Sequence, residues 1–302
     1  MQTLTEIKSL LESRGLSPRK QYGQNFLVDH NLLRRLVDAA GVGPGDVVLE
    51  VGPGTGTLTE ELLARGCRVV ACEIDRGLAA LLRERLGAPA APGGDPAHDA
   101  GAAHADRAAR FTLVEGDCLQ RSRLAPAAVD AINAACAASG ANAFRLVANL
   151  PYDAATPLMI DLLVAHPRCP SMHVTIQREV AQRLGARPGS DEYGTLSIIA
   201  QACAHVREVA ALPPECFWPR PKVTSSMVEV RRRDTPLSAD PAALAAFCTR
   251  LFSARRKQLG TTLKGRVRQW PAGIDPTARV ETLSIEALEA LRARGADAGA
   301  RG

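Results

Sequence analysis

Asp46-Val-Val-Leu-Glu-Val-Gly-Pro-Gly-Thr-Gly-Thr-Leu-Thr-Glu60 is the stretch that decides how this chain reads. Its first half is a short apolar run, the pattern of a strand buried on both faces of a parallel sheet. Gly52, Gly54 and Gly56 come at once after it, and Leu58 to Arg65 reads as a helix closed by Gly66. A glycine-rich turn between a strand and its helix lets the backbone come close to a ligand. The spacing is G-x-G-x-G, so the third glycine arrives one residue earlier than in the dinucleotide motif. No lysine succeeds the turn as in a triphosphate-binding loop.

Working outward, Arg68 to Cys72 is a second buried strand ending on Glu73, 23 positions after Glu50. An acid at that point can accept both hydroxyls of a ribose, which predicts a nucleoside-containing cofactor. Phe111 to Glu115 is a third strand leading to Gly116-Asp117, where a carboxylate can accept from an adenine amino group. Phe144 to Ala148 is the fourth, running into Asn149-Leu-Pro-Tyr152. Ligands of open parallel sheets bind beyond the carboxyl ends of the strands. There, an asparagine carbonyl and the backbone carbonyls beside a proline can accept from an exocyclic amine, and a tyrosine can stack on a flipped base.

Met172 to Ile176 is a fifth strand, and Val206 to Leu212 with Ser226 to Val230 form a closing pair. Helices are expected at Thr156 to Ala165, from Glu179, and at Gly194 to Ala204. Strands alternating with helices predict an α/β fold with a doubly wound, mostly parallel sheet. Asp234 to Pro241 is a polar, proline-bearing linker. The remainder of the chain is helical in pattern: Ala242–Ala254, a basic segment around Thr261–Trp270, and Ile285–Arg294. The expected division is a catalytic domain at 1–233 and a small all-helical domain at 234–302.

Composition narrows the class. The 302 residues are 46% hydrophobic, 23% charged and only 4% aromatic, ordinary for a globular protein. Gly87 to Arg110 is mostly Ala, Gly and Pro and lacks Leu, Ile, Val and aromatics, so it reads as a flexible surface insertion. Ala125 to Ala143 is a second Ala-rich stretch, expected to hold a helix with a loose end. The eight cysteines stand singly and the six histidines, His98 and His104 among them, have no zinc spacing. No metal site is expected, and the thiols read as reduced and buried in a cytoplasmic protein. No secretory leader and no membrane-spanning run is apparent. Net charge is +5, and Thr249 to Arg268 carries seven basic residues and no acid. Arg255, Arg256, Lys257, Lys264, Arg266 and Arg268 are therefore candidates for nucleic-acid contact, with a solvated helix face or helix capping as the other reading.

Taken together these residues resemble the class I S-adenosylmethionine-dependent methyltransferases, which have a Rossmann-like fold. More narrowly they resemble the ribosomal RNA small-subunit adenine N6-dimethyltransferase family, of the KsgA type. The resemblance covers nearly the whole chain: Gly23-Gln-Asn-Phe-Leu27, the glycine turn, Glu73-Ile-Asp75, Gly116-Asp117, Asn149 to Tyr152, Pro188 to Ser197, Phe217 to Val223, and Phe252 to Lys257. It implies S-adenosylmethionine as cofactor, converted to S-adenosylhomocysteine, with Asn25, Leu27, Gly52, Gly54, Glu73, Asp117 and Asn149 lining its site. It implies that Asn149, Leu150, Pro151 and Tyr152 hold the target adenine, and that the activity is dimethylation of two adjacent adenines in the 3′-terminal hairpin loop of small-subunit ribosomal RNA. The implied partner is the immature 30S subunit, met by a monomer. Two alternatives share these features: a 23S ribosomal RNA adenine dimethyltransferase of the macrolide-resistance type, and a non-catalytic RNA-binding assembly factor.

Overall fold

The computed structural model describes residues 1–87, 105–267 and 269–299. Arg268, His98, His104 and most of the Gly87–Arg110 stretch lie outside them. The described chain divides into two compact units. The first comprises Met1–Asp161, Arg168–Arg178 and Arg207–Glu229; the second comprises Leu162–Pro167, Glu179–Val206 and Val230–Gly302. This division differs from the boundary expected at 233/234, since residues 179–206, read as part of the catalytic domain, group with the C-terminal unit.

The frame of the first unit is a set of parallel strands: β2 (Val47–Val51), β3 (Arg68–Glu73), β4 (Phe111–Glu115), β7 (Phe144–Asn149) and β8 (Ser171–Gln177). With β9 (Ala204–Leu212) and β11 (Ser225–Arg232) they form a seven-stranded sheet in the order β4-β3-β2-β7-β8-β11-β9. From β2 the chain winds outward to β3 and β4, then returns to lay β7 on the other side of β2. The strand order reverses there, and such a reversal opens a crevice at the carboxyl ends of β2 and β7.

Val48, Val69, Ala71 and Val147 build one core cluster with Leu33, Leu36 and Val37 of the helix His30–Ala40, Leu62 and Leu63 of Thr57–Ala64, and Leu82 and Leu86 of Arg76–Leu86. Successive strand residues point to opposite faces. The alternate residues Leu49, Val70 and Leu146 are equally buried, and the helix Pro126–Ser139 packs against β2, β3 and β4. That helix ends cleanly on Gly140 in the left-handed conformation, φ 69°, rather than in a loose tail. The end of the stretch read as a flexible insertion is also ordered. Residues 105–109 are helical, and the Arg110 guanidinium donates to the carbonyls of Leu63 (2.8 Å) and Cys67 (3.1 Å).

Two short strand pairs escape the sequence reading. β1 (Phe26–Leu27) pairs with β10 (Phe217–Trp218), and β5 (Leu119–Gln120) with β6 (Arg123–Leu124), both antiparallel. The helix placed at Thr156 begins at Tyr152, because the Pro151 carbonyl already accepts from the Ala154 and Ala155 amides.

In the second unit, helix Pro241–Phe252 packs on Thr195–Cys203 and on Ile285–Gly299. The Tyr193 ring is buried edge-on to Phe252, and its hydroxyl donates to the Leu283 carbonyl at 3.0 Å. The basic segment expected to be helical over Thr261–Trp270 is helical only at Leu259–Thr262. Gly265, at φ 76°, sits in the turn beyond it. All eight cysteines are free and buried, six in the first unit and Cys203 and Cys248 in the second. Among the described residues no helix is long and apolar enough to cross a membrane, and no group of side chains has the makings of a metal site.

Candidate active site

A cavity of about 380 Å³ opens at the carboxyl ends of β2 and β7. That is within the usual range of small-molecule pockets. All ten residues expected for the cofactor and the target adenine line it: Asn25, Leu27, Gly52, Gly54, Glu73, Asp117, Asn149, Leu150, Pro151 and Tyr152.

The glycine turn is pinned from two sides. Gly52 has φ 71°, and a Cβ built there would lie 2.9 Å from Pro151 Cγ. Gly54 has φ 62°, and a Cβ there would lie 2.7 Å from Phe26 Cε1. Both positions need glycine for its backbone and for the space. Phe26 is held in turn by stacking on Trp218, ring centroids 6.1 Å apart. The turn therefore touches both the N-terminal segment and the Asn149–Tyr152 loop.

Two acids sit beneath the turn. Glu73 is 3% exposed; its Oε2 accepts from the Gly54 amide at 3.2 Å and its Oε1 from the Asp75 amide at 2.9 Å. Burial pushes its carboxyl up to about 7, against the pull of those two amides. Glu50 is 1% exposed and accepts from the Thr59 hydroxyl at 2.7 Å, and burial pushes it up to about 8. Asp117, by contrast, is exposed at the cavity edge, where its Oδ1 accepts from the Leu119 amide at 2.9 Å.

The N-terminal segment is tied down on both flanks of the cavity. Gln24 Nε2 donates to Asp75 Oδ2 at 3.2 Å on the Glu73 side. Opposite, Asn149 Nδ2 donates to the Asn25 carbonyl at 2.8 Å. Asn25's own amide turns back to the Gly23 carbonyl at 3.0 Å. The Tyr152 hydroxyl is buried and has no hydrogen-bond partner among the described residues.

Several lining residues were not singled out from the sequence. Ile74, 41% exposed, lines the cavity between Glu73 and Asp75. The apolar residue after a strand-ending acid, exposed where its neighbours are buried, is the signal that could have found it. Gln21 carries no comparable signal, because only long-range folding brings it to the cavity, and Phe217, which opens the Phe217–Val223 motif, reaches the cavity in the same way.

The basic candidates behave differently from one another. Arg255 Nε pairs with Glu281 Oε2 at 2.6 Å, while Nη1 and Nη2 donate to the Asp191 (2.7 Å) and Ser190 (3.0 Å) carbonyls. The expectation that no acid neutralises this run therefore fails at Arg255, whose partner lies 26 residues downstream. Arg256, Lys257, Lys264 and Arg266 are exposed and form no ion pair among the described residues.

The chain is similar to proteins of a known family. A family model described as ribosomal RNA adenine dimethylase matches residues 15–293. A ribosomal RNA small subunit methyltransferase A of Mesorhizobium japonicum is 40% identical, covering 94% of this chain and 95% of its own. The protein of that name from Phenylobacterium zucineum is 38% identical, covering 96% and 93%. Among solved structures, a dimethyladenosine transferase from Plasmodium falciparum superposes with a TM-score of 0.65 at 20% identity, over 90% of this chain and 97% of that one. The 23S rRNA methyltransferase ErmE gives 0.58 at 25% identity, over 89% and 99%. The fold is the Rossmann-like fold of class I methyltransferases, with a helical C-terminal part. Matched by the family model over nearly its whole length, and by curated relatives at 38–40% identity, the chain belongs to the ribosomal RNA adenine dimethylase family.

Proposed function

We propose that this protein dimethylates N6 of two adjacent adenines in the 3′-terminal hairpin loop of small-subunit ribosomal RNA, acting on the immature 30S subunit with S-adenosylmethionine as methyl donor. The observation that carries the chemistry is that one cavity brings a nucleoside-type wall, Glu73 and Asp117, against the Asn149-Leu-Pro-Tyr152 wall. The small-subunit substrate is supported by the relatives, whose shared name specifies that subunit.

The residues present fit the cofactor. The glycine turn leaves bare backbone on the cavity, where side chains at Gly52 or Gly54 would fill the cradle. Glu73, held near 7 by burial, gains from the hydroxyl donors that a ribose supplies. Asp117 stands at the edge as an acceptor for an exocyclic amine. When bound, the cofactor supplies an electrophilic methyl group.

Everything else falls to the chain's own groups. The adenine amine is a poor nucleophile because its lone pair is delocalised into the ring. Asn149 Oδ1 and the carbonyl of Leu150 accept from that amine and draw its nitrogen toward tetrahedral geometry, aiming the lone pair across the cavity. Tyr152 stacks on the base. This is catalysis by orientation and electrostatics, and the ammonium formed loses its proton readily without a dedicated base. Arg256, Lys257, Lys264 and Arg266 in the second unit offer phosphate contacts.

Transfer of tritiated methyl groups to unmodified small subunits and to large-subunit RNA tests the reading. Label is expected in small-subunit RNA as N6,N6-dimethyladenine. Label only in large-subunit RNA would make this a resistance-type enzyme, and RNA binding without transfer would make it an assembly factor.

A further inference from the structure

We infer that Thr175 is a positioning residue for Asn149, fixing the carbonyl end of its amide so that one lone pair of Oδ1 remains for the incoming amine. The inference rests on the function proposed above. The Asn25 backbone carbonyl can only accept, so the Asn149 amide must turn Nδ2 toward it, at 2.8 Å. That sets the sense of the amide and leaves Oδ1 facing the Thr175 hydroxyl, which lies within hydrogen-bond distance. Since Oδ1 can only accept, the hydroxyl donates.

Thr175 is well placed for this work. It lies on β8 directly across from Asn149 in the parallel register. It is 1% exposed, so water does not compete for the bond. Its backbone carbonyl also accepts from the Leu150 amide at 3.1 Å, so one residue grips both the side chain and the next peptide of the Asn149–Tyr152 loop. A β-branched side chain is stiff at χ1, which keeps the hydroxyl aimed. The terminal torsion of an asparagine is otherwise broad. The Asn25 link alone would let the amide swing about one hydrogen bond; bonds at both ends remove that freedom. An amide oxygen has two lone pairs, and Thr175 uses one.

The sequence hides this role, because a threonine inside Met172-His-Val-Thr-Ile176 looks like any β-branched strand residue. The test compares Thr175→Val, which keeps the shape and removes the hydroxyl, with Thr175→Ser, which keeps the hydroxyl. Thr175→Cys supplies a weak donor between them. The readout is steady-state methyl transfer to unmodified small subunits, with melting temperatures measured alongside. The valine variant should lose about 10- to 100-fold in kcat, with KM for cofactor and for subunits within about twofold. The serine variant should stay within about threefold of the parent, and the cysteine variant should fall between. Turnover of the valine variant within about twofold of the parent overturns the inference, and so do valine and serine variants that are equally slow. Should the valine variant melt far below the parent, the serine and cysteine variants decide: equal rates for these two also overturn it. Failure of the proposed function looks different, since the unaltered protein would then label no small-subunit RNA.

Discussion

The contact between Gly52 and Pro151 can be tested against an internal control. Gly52 and Gly140 have nearly the same positive φ, 71° and 69°. An alanine at either costs about 1–2 kcal/mol for the left-handed conformation. Only Gly52 faces an obstacle: its Cβ would lie 2.9 Å from Pro151 Cγ and 3.1 Å from Cδ, whereas nothing lies within 4 Å at Gly140. Ordinary carbon contacts begin near 3.5 Å, so the proline ring must retreat by roughly half an ångström or more. It carries the rest of the Asn149–Tyr152 loop with it. Gly140→Ala should therefore lower the melting temperature by roughly 2–8 °C and leave kcat within about twofold. Gly52→Ala should lose on the order of 100-fold in methyl transfer, the scale of an ångström-level misplacement at a reacting centre. Thermal denaturation monitored by circular dichroism and a single methyl-transfer assay measure both. If Gly52→Ala turns over as fast as Gly140→Ala, the glycine turn does not set the position of the Asn149–Tyr152 loop, and turn and loop are uncoupled.

The two buried acids and the basic surface can be probed in the same way. Glu73→Ala should weaken cofactor binding by about 1.5–3 kcal/mol in calorimetry. In the unaltered protein, affinity should rise between pH 6 and 8 as the Glu73 carboxyl, pushed up to about 7, ionises into a better acceptor; affinity that is flat with pH would remove Glu73 from the site. Glu50, pushed up to about 8 from an ordinary 4.5, holds a proton in the folded state that the unfolded chain releases. Its contribution to stability is present below that window and declines as pH rises through it, by up to about 1.4 kcal/mol per unit. Glu50→Gln should accordingly gain in melting temperature relative to the parent at pH 8.5 and not at pH 4, and equal melting curves at both would show that Glu50 ionises freely. Changing Arg256, Lys257, Lys264 and Arg266 to Gln should flatten the salt dependence of subunit binding by about 0.7–0.9 for each phosphate no longer neutralised, and an unchanged slope would place the RNA elsewhere. Arg255→Gln should instead lower the melting temperature, because its guanidinium holds Glu281 and the Ser190–Asp191 backbone.

Legibility from sequence tracked the range of the forces involved. Buried parallel strands announce themselves as apolar runs, and the turns that carry the site come directly after them, so Gly52, Glu73, Asp117 and Asn149 could be placed by counting along the chain. These positions needed no knowledge of distant partners. Contacts that close over large separations left no such mark. Phe26 and Leu27 pair with Trp218 and Phe217 across most of the first unit's length, and a two-residue strand has no periodicity to read. The basic run misled for a related reason: its missing acid, Glu281, stands in a different segment and meets Arg255 only on folding. The same run misled on structure too. Gly265 interrupts a segment whose composition alone suggested a longer helix, in a conformation that a helix does not allow.

The burial of all eight thiols has a practical consequence. Burial pushes Cys67 up to about 11, and Cys118 and Cys248 up to about 12, so in the folded protein these sulfurs are neither reachable nor ionised at neutral pH. The thiolate is the species that reacts with alkylating agents. Each cysteine is therefore a silent reporter that is switched on only when its surroundings open. Because Cys203 and Cys248 belong to the second unit and the other six to the first, peptide-resolved labelling rates time the opening of each unit separately in the unmodified chain, with no engineered probe.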